Sequence, residues 1–497
     1  MESLYQTLFS VLVNHWSTCL IGALLLLNNI QAVGLSRLTS PLAHLPGPEI
    51  SKWTSAVYAY HYLNGRIPQY IHSLHEEYEG PIVRVAPDHV DVCDTEAVKE
   101  IHRTNTRFLK TDFYRKLVAG AAHNVFSTTD PKFHAQHRRL LATPISDSSL
   151  SRLEPLIASR VHLTISKIAA EIESRGAADV FKWWLFMATD IIGELSFGES
   201  FGMLESGKKN QYSLDMENLS SSGAIRVTFP SLIKIASYVP LPIFKAPAES
   251  GKRLGMYSAQ CVRKYQESLA QNPSGAKPTL FTKLFDTEKS GMSFSDIRQE
   301  AQAYIVAGSD TTAVSLTYLT YQVCKNRRVQ EKLVAELANV PEPVSDKTLR
   351  DLPYLNQVIS ETLRLYSAVP AGLPRLVPEG GASFNGFHVP GGITIATQSY
   401  SLHRDPAIFP DPTSFHPERW ETTTKEMKDA SLAFGGGSRV CLGIHLARME
   451  LRLATSLFFR ALPNSRVSSK EGMSSSDMEM SSTFLMAPKG HRCLIEV

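Results

Sequence analysis

Cys441 stands in the run Phe434-Gly435-Gly436-Gly437-Ser438-Arg439-Val440-Cys441-Leu442-Gly443, whose residue types suit the holding of a macrocycle's iron by a thiolate. A thiolate ligand pushes electron density onto iron and favours cleavage of bound dioxygen, provided the sulfur is shielded from water and oxidants. Phe434 can supply an apolar wall for that shielding. Glycines at 435 to 437 let the backbone turn tightly and approach the flat ring where a Cβ would forbid both. Gly443 lets the following segment pass equally close. From Ile444 to Arg460, Leu446, Met449, Leu453 and Leu457 recur at spacings of three and four, an amphipathic helix pattern. Cys441 then precedes a helix N-terminus, whose dipole favours the thiolate. Arg439 would point the other way and offer a planar match to a carboxylate of the macrocycle. The plainer alternatives are an inert buried cysteine in a glycine loop, or a metal site of Cys441 with His445, although no Cys-x-x-Cys pair completes a zinc set.

Phe434, Gly437, Arg439, Cys441 and Gly443 match the Phe-x-x-Gly-x-Arg-x-Cys-x-Gly signature, and on them the chain resembles the cytochrome P-450 haem-thiolate monooxygenases. The resemblance implies haem b with Cys441 as axial iron ligand. It also implies a mainly α fold with a smaller β-sheet subdomain.

Further motifs test it. Glu361-Thr362-Leu363-Arg364 places carboxylate and guanidinium on one helix face. Pro417-Glu418-Arg419-Trp420 looks like the family's Pro-Glu-Arg-Phe segment, which implies that Arg419 joins Glu361 and Arg364 in a buried structural network. Ala307-Gly308-Ser309-Asp310-Thr311-Thr312 lies in a proline-free helical stretch from Ile297 to Val323, and a mid-helix glycine costs about 1 kcal/mol against alanine. Small residues at 307 and 308 make sense if something flat approaches that helix. By resemblance Ala307 and Gly308 open a groove for dioxygen, and Asp310 and Thr311 are the acid-alcohol pair of a proton relay. His134-Ala135-Gln136-His137-Arg138 falls where the family has Trp-x-x-x-Arg, so His134 and Arg138 are implied propionate contacts, with histidine departing from the pattern. Pro374-Arg375 resembles the strand arginine meeting the same propionates. By themselves these arginines would read as solvated charges.

The elements that must position these residues read as mostly helical, with helical periodicity from about Ser149 to Ser196 and from Ile297 to Ser367. Ile82-Val83-Arg84-Val85 and His89-Val90-Asp91-Val92 alternate as a hairpin, and shorter strands are expected at Ser383 to Val389 and Ile393 to Thr397. No linker or repeat divides residues 51–497, which read as one catalytic domain. No Asp, Glu, Lys or Arg occurs between Glu2 and Arg37, and the window from Leu4 to Leu27 can supply the about 20 residues of a membrane span. Residues 1–35 therefore read as a single transmembrane anchor; a cleaved signal ending near Ala32-Val33-Gly34 is the alternative, without the usual basic start. Arg37 and Lys52 follow the span, so the catalytic part is expected on the cytosolic side of the endoplasmic reticulum membrane. Residues 36–50, with Pro41 and Leu45-Pro46-Gly47-Pro48, read as a stiff hinge. Phe229 through Phe244 reads as a membrane-dipping lid or an ordinary buried loop.

A net charge of +3 gives no sign of a nucleic-acid partner, and six scattered cysteines suit a reduced compartment. The family resemblance then implies a monooxygenase using O2 and electrons from a separate NADPH-cytochrome P-450 reductase, docked on a basic side that includes Arg448 and Arg452, for which a solvated helix face is the default alternative. A haem-thiolate isomerase or dehydratase, and a non-catalytic haem sensor, are the other two readings. Phe108, Phe113, Tyr114, Phe126, Val369 to Leu373 and Phe484 are expected around a hydrophobic substrate. The texture is similar to fungal members of secondary metabolism, which suggests a polyketide or terpenoid substrate.

Overall fold

In the computed structural model the described residues are 40–118, 123–231, 242–271, 279–285 and 291–497. Helices carry most of the described part of the chain, among them α1 Ala56–Leu63, α2 Ile67–Glu77, α3 Phe113–Leu117, α4 Pro131–Ala142, α5 Glu154–Arg175, α6 Val180–Phe197, α7 Gln211–Ser221, α8 Pro242–Gln271, α9 Phe294–Lys325, α10 Arg327–Leu337, α11 Pro353–Leu365 and α12 Ile444–Ala461. α9 is started by a capping box, in which Ser293 accepts from the Asp296 N–H and Asp296 accepts from the Ser293 N–H. From Thr312 to Tyr321 all its side chains are buried, because α6 and α12 pack along it. α6 is apolar on nearly every side, as a helix enclosed by others must be, with Trp184 and Phe186 fully buried.

The long helical stretches expected from periodicity are interrupted where backbone chemistry demands it. Gly176 and Gly198 take left-handed C-cap conformations (φ 75° and 77°) and end α5 and α6. Between Ile297 and Ser367 the helix breaks at Asn326, α10 ends at Leu337, and α11 restarts at Pro353, a first-turn proline.

Five short strands make the main sheet, and a separate hairpin lies beside them in sequence: β1 Ile82–Ala86, β2 His89–Val92, β3 Leu109–Lys110, β4 Arg375–Leu376, hairpin β5 Ala382–Phe384 with β6 Phe387–Val389, and β7 Thr394–Ala396. The sheet order is β1-β2-β7-β4-β3. β1 and β2 form the expected antiparallel hairpin, Ile82 opposite Val92, while β2 and β7 run parallel with His89 opposite Thr394. β5 and β6 turn through Asn385 and Gly386, both at positive φ. β3 and β4 bring Lys110 opposite Arg375, two cations from distant segments.

The second half of the expected hinge is docked. Arg84, fully buried on β1, donates to the carbonyls of Leu42, Leu45, Gly47 and Pro48 at 2.7 to 3.1 Å, and Leu42 and Leu45 enter the core of the sheet. A guanidinium can satisfy several carbonyls at once, so proline-rich backbone packs without stranded acceptors. The expected anchor, residues 1–35, lies outside the described residues, as does the central part of the expected lid at 232–241. Among the described residues no helix is long and apolar enough to cross a membrane. All five described cysteines are free thiols.

Candidate active site

The cysteine loop is closed by its own backbone. The Cys441 N–H donates to the Phe434 carbonyl at 2.8 Å, and Gly437–Arg439 form one 3₁₀ turn between them. Gly437 has φ 56°, and a Cβ there would lie 1.6 Å from the His102 carbonyl oxygen, so its glycine answers a close approach of two chain segments. Burial pushes the Cys441 thiol pKa up, while the Gly443 N–H bonded to the sulfur and the Arg138 charge pull it down. Cys441 nevertheless keeps exposed surface. Both hold if the sulfur borders an internal recess walled by protein, and α12 begins three residues later as expected.

On α9 the residues Ala303, Ala307 and Thr311, four apart, keep partly or fully exposed surface although their neighbours Ser309, Thr312 and Ala313 are buried. Small side chains on one stripe thus leave room along this face. The Thr311 hydroxyl donates to the Ala307 carbonyl at 2.6 Å. Gly308 also keeps partly exposed surface, and a Cβ there would lie 3.0 Å from Ile192 of α6, so this glycine in addition lets α6 pack close. Burial, with Glu217 adding and Lys209 opposing, raises the Asp310 carboxyl to about 6. Lys209 and Glu217 are themselves an ion pair beside α7. Asp310, on α9, therefore faces a charged pair and has a proton affinity suited to exchange near neutral pH.

Two ties fix this part of α9. Tyr304 donates to the Leu141 carbonyl of α4 at 3.2 Å, and its pKa is raised, first by burial, then by the nearby Glu300 and Cys441 charges. Thr312 donates to Glu450 of α12 at 2.8 Å, and burial lifts the Glu450 carboxyl to about 8. One turn before Tyr304, Glu300 accepts from His137 Nδ1 (2.8 Å) and the Val125 N–H (2.9 Å), binding α4 and the segment before it to α9.

Four cations gather beside the cysteine loop. Arg138 donates to the Val440 carbonyl (2.7 Å), Arg375 to the Tyr114 hydroxyl (2.8 Å), Arg439 to the Thr128 carbonyl (3.3 Å) and Lys110 to the Phe126 carbonyl (2.6 Å). None of them has an ion-pair partner among the described residues. Burial and the neighbouring Arg375 and Arg138 charges lower Arg439 to about 10; burial, Arg375 and Arg439 push Lys110 well below its usual value. His134, 5 % exposed, falls to about 3 through burial and the same cations, so it is a neutral donor. Converging desolvated cations without carboxylates call for an anionic guest. A group with two carboxylates and a metal for the thiolate fits them, so haem, with iron ligated by Cys441 and propionates toward this cluster, suits the residues present.

Behind the loop, Glu361 is fully buried and accepts from Arg364 Nε and Nη2 (2.8 Å each), Arg419 Nε (3.0 Å), the His416 N–H (2.9 Å) and Trp420 Nε1 (2.9 Å). Burial alone would raise its pKa, but Arg364 and Arg419 hold it below the usual range. Arg364 also donates to the carbonyls of His403, Pro412 and Ser414, so the network clamps the segment that leads into the cysteine loop.

Some expectations change. Phe108 lies in the sheet core against Phe384, away from the site, whereas Phe113, Tyr114, Phe126 and Phe484 form linked rings. Arg452 is buried and donates to Asp346 at 2.6 Å, so it belongs to the interior and not to a docking face; Arg448 remains exposed, over the Phe434 ring. Lys110, Trp420, Glu450 and the His137–Glu300 pair are site residues that motif reasoning misses. Trp420 is legible as the variant end of its motif; the others sit in no recognisable local pattern.

A family model described as cytochrome P450 matches residues 46–495. Cytochrome P450 monooxygenase tazI of Aspergillus terreus is 51% identical over 462 residues, covering 92% of this chain and 94% of the relative. Cytochrome P450 monooxygenase orf2 of Aspergillus niger is 44% identical, covering 96% and 97%, and stcB of Emericella nidulans is 35% identical, covering 94% and 90%. With the thiolate loop, the cation cluster and the Glu361 clamp all in place, these similarities mean that the chain belongs to the cytochrome P450 family and is a haem-thiolate monooxygenase.

Proposed function

We propose that this monooxygenase inserts one oxygen atom from O2 into a hydrophobic substrate of fungal secondary metabolism, a polyketide or terpenoid, with electrons from an NADPH-dependent reductase. The observation that carries the reading is Thr311 on the stripe that stays open on α9, with Asp310 beside it in sequence and turned toward Lys209 and Glu217, within a chain whose Cys441 loop is complete. Bound haem supplies dioxygen binding and its reductive activation. The residues do the rest. Cys441 holds the group, and the Gly443 N–H and Arg138 stabilise negative charge on its sulfur. Arg138, Arg375, Arg439 and Lys110 fix the anionic edge. Asp310 takes protons from the side of Lys209 and Glu217, and Thr311, with a hydroxyl free to exchange its Ala307 bond for a water, hands them toward the open face. An isomerase or dehydratase would need no such relay. Exposed Arg448 is a reductase contact in this reading, and residues 1–35 hold the enzyme to the endoplasmic reticulum membrane with the catalytic part in the cytosol. Turnover assayed with reductase and NADPH against a panel of fungal polyketides and terpenoids should be oxygenation that Cys441→Ala abolishes together with the thiolate-type carbon monoxide spectrum. Conversion of a peroxide or oxime without NADPH would favour the isomerase or dehydratase instead.

A further inference from the structure

Glu300 is fully buried on α9, and one of its oxygens gathers two separate segments. Oε1 accepts from His137 Nδ1 of α4 at 2.8 Å and from the Val125 N–H at 2.9 Å, while Oε2 has no partner among the described residues. Burying a carboxyl with one oxygen unpaired costs more than burying an apolar side chain of similar volume, so packing alone does not account for it.

Both ties lead into the cation cluster. His137 directly precedes Arg138, which donates to the Val440 carbonyl beside the thiolate at 2.7 Å, and Phe133 stacks on the His137 ring with centroids 3.8 Å apart, which holds the imidazole in place. Val125 directly precedes Phe126, whose carbonyl accepts from Lys110 at 2.6 Å, and Thr128 follows, whose carbonyl accepts from Arg439 at 3.3 Å. Residues 124–128 form one braced turn. Asn124 Oδ1 accepts from the Phe126 and Ser127 N–H groups at 3.1 and 2.8 Å, and the Asn124 carbonyl accepts from the Thr128 N–H at 3.0 Å. A shift of Val125 therefore carries both carbonyls with it.

Three of the four cations are thus referred to a single oxygen of α9, and the fourth, Arg375, stands opposite Lys110 across β3 and β4. Glu300 also lies two turns before Ala307 and three before Thr311, so all three share one helix face. The helix that presents the open stripe is the one that holds the frame of the cations.

We propose that Glu300 is a positioning residue for haem: through His137 and the Val125 N–H it sets where Arg138, Lys110 and Arg439 meet the carboxylates of the macrocycle. This role rests on the reading of the cluster as the propionate site and is independent of the substrate oxidised. Transfer of haem, and separately of haem dimethyl ester, from the reconstituted full chain to excess apomyoglobin tests it, because the ester has no carboxylates for the cations to hold. The parent chain should release the ester about tenfold faster than haem. Glu300→Ala should speed haem release about tenfold and leave ester release unchanged. Glu300→Gln, whose amide oxygen can still accept from both donors, should return haem release most of the way to the parent rate. His137→Phe keeps the stack on Phe133 and loses one tie, so it should speed haem release about threefold without effect on the ester, and it serves where Glu300→Ala does not fold. Equal acceleration of both ligands in these variants would make Glu300 a support of the fold alone and overturn the proposal, as would no acceleration of either. A parent chain that holds haem and its ester equally well would instead overturn the cluster as the propionate site, and the role of Glu300 with it.

Discussion

Glu450 offers the sharpest quantitative test of how α9 is held. Its carboxyl is 2 % exposed, accepts from Thr312 at 2.8 Å and is raised by burial from 4.5 to about 8. A carboxyl with a raised folded-state pKa stays protonated in the folded chain while the unfolded chain ionises it. Its contribution is therefore fully present below pH 4.5, declines as pH rises toward about 8, and is lost above that. The slope in that window is about 1.4 kcal/mol per pH unit, and the whole loss is on the order of 5 kcal/mol. Glu450→Gln keeps the shape and an amide oxygen for the Thr312 hydroxyl, but cannot ionise. Denaturant unfolding of both proteins followed by tryptophan fluorescence, at pH values across the window, should give similar stabilities near its acidic end. The variant should become the more stable by several kcal/mol at its basic end. A difference independent of pH would mean that Glu450 is charged in the folded protein, and the account of a neutral acid bridging α9 and α12 would be wrong. The same bond fixes the residue after Thr311, so the alcohol proposed for the relay is positioned from its neighbour.

Two other perturbations separate chemistry from architecture. Thr311→Ala should keep the thiolate-type carbon monoxide spectrum but uncouple NADPH consumption from product, with peroxide released instead; unchanged coupling would remove Thr311 from the relay. Gly437→Ala should cost at least about 3 kcal/mol and lower haem occupancy, since left-handed strain adds to an impossible 1.6 Å approach to His102. Gly435→Ala, also at positive φ (70°) but with its nearest atoms 3.7 Å away, should cost only the about 1–2 kcal/mol of strain; equal effects of the two would show that the His102 contact plays no part.

What can be read without the structure follows from how locally each job is encoded. The thiolate loop packs a ligand, its turn and its helix start into adjacent positions, so residue types alone disclose it. The Glu361 clamp is spread over two short motifs, and both are legible, as is the hairpin from Ile82 to Val92. Lys110 is not, because its significance lies in standing opposite Arg375 across β3 and β4, a pairing between segments far apart in the chain. Glu450 likewise means nothing until α12 lies on α9.

Helical periodicity tells which residues share a face but not what covers it. Arg448 and Arg452 are one turn apart and group by spacing as one basic surface, yet Asp346 lies over the second and takes it inside. Ala307 and Gly308 group by small size, yet consecutive helical residues point about 100° apart. Ala307 keeps the open stripe with Ala303 and Thr311; Gly308 gives way to Ile192. The two small residues thus carry different constraints: Ala307 is bounded by open space, and Gly308 also by Ile192. A bulkier residue at 307 should obstruct the site while sparing the fold, and one at 308 should shift α6 and leave the stripe chemically intact.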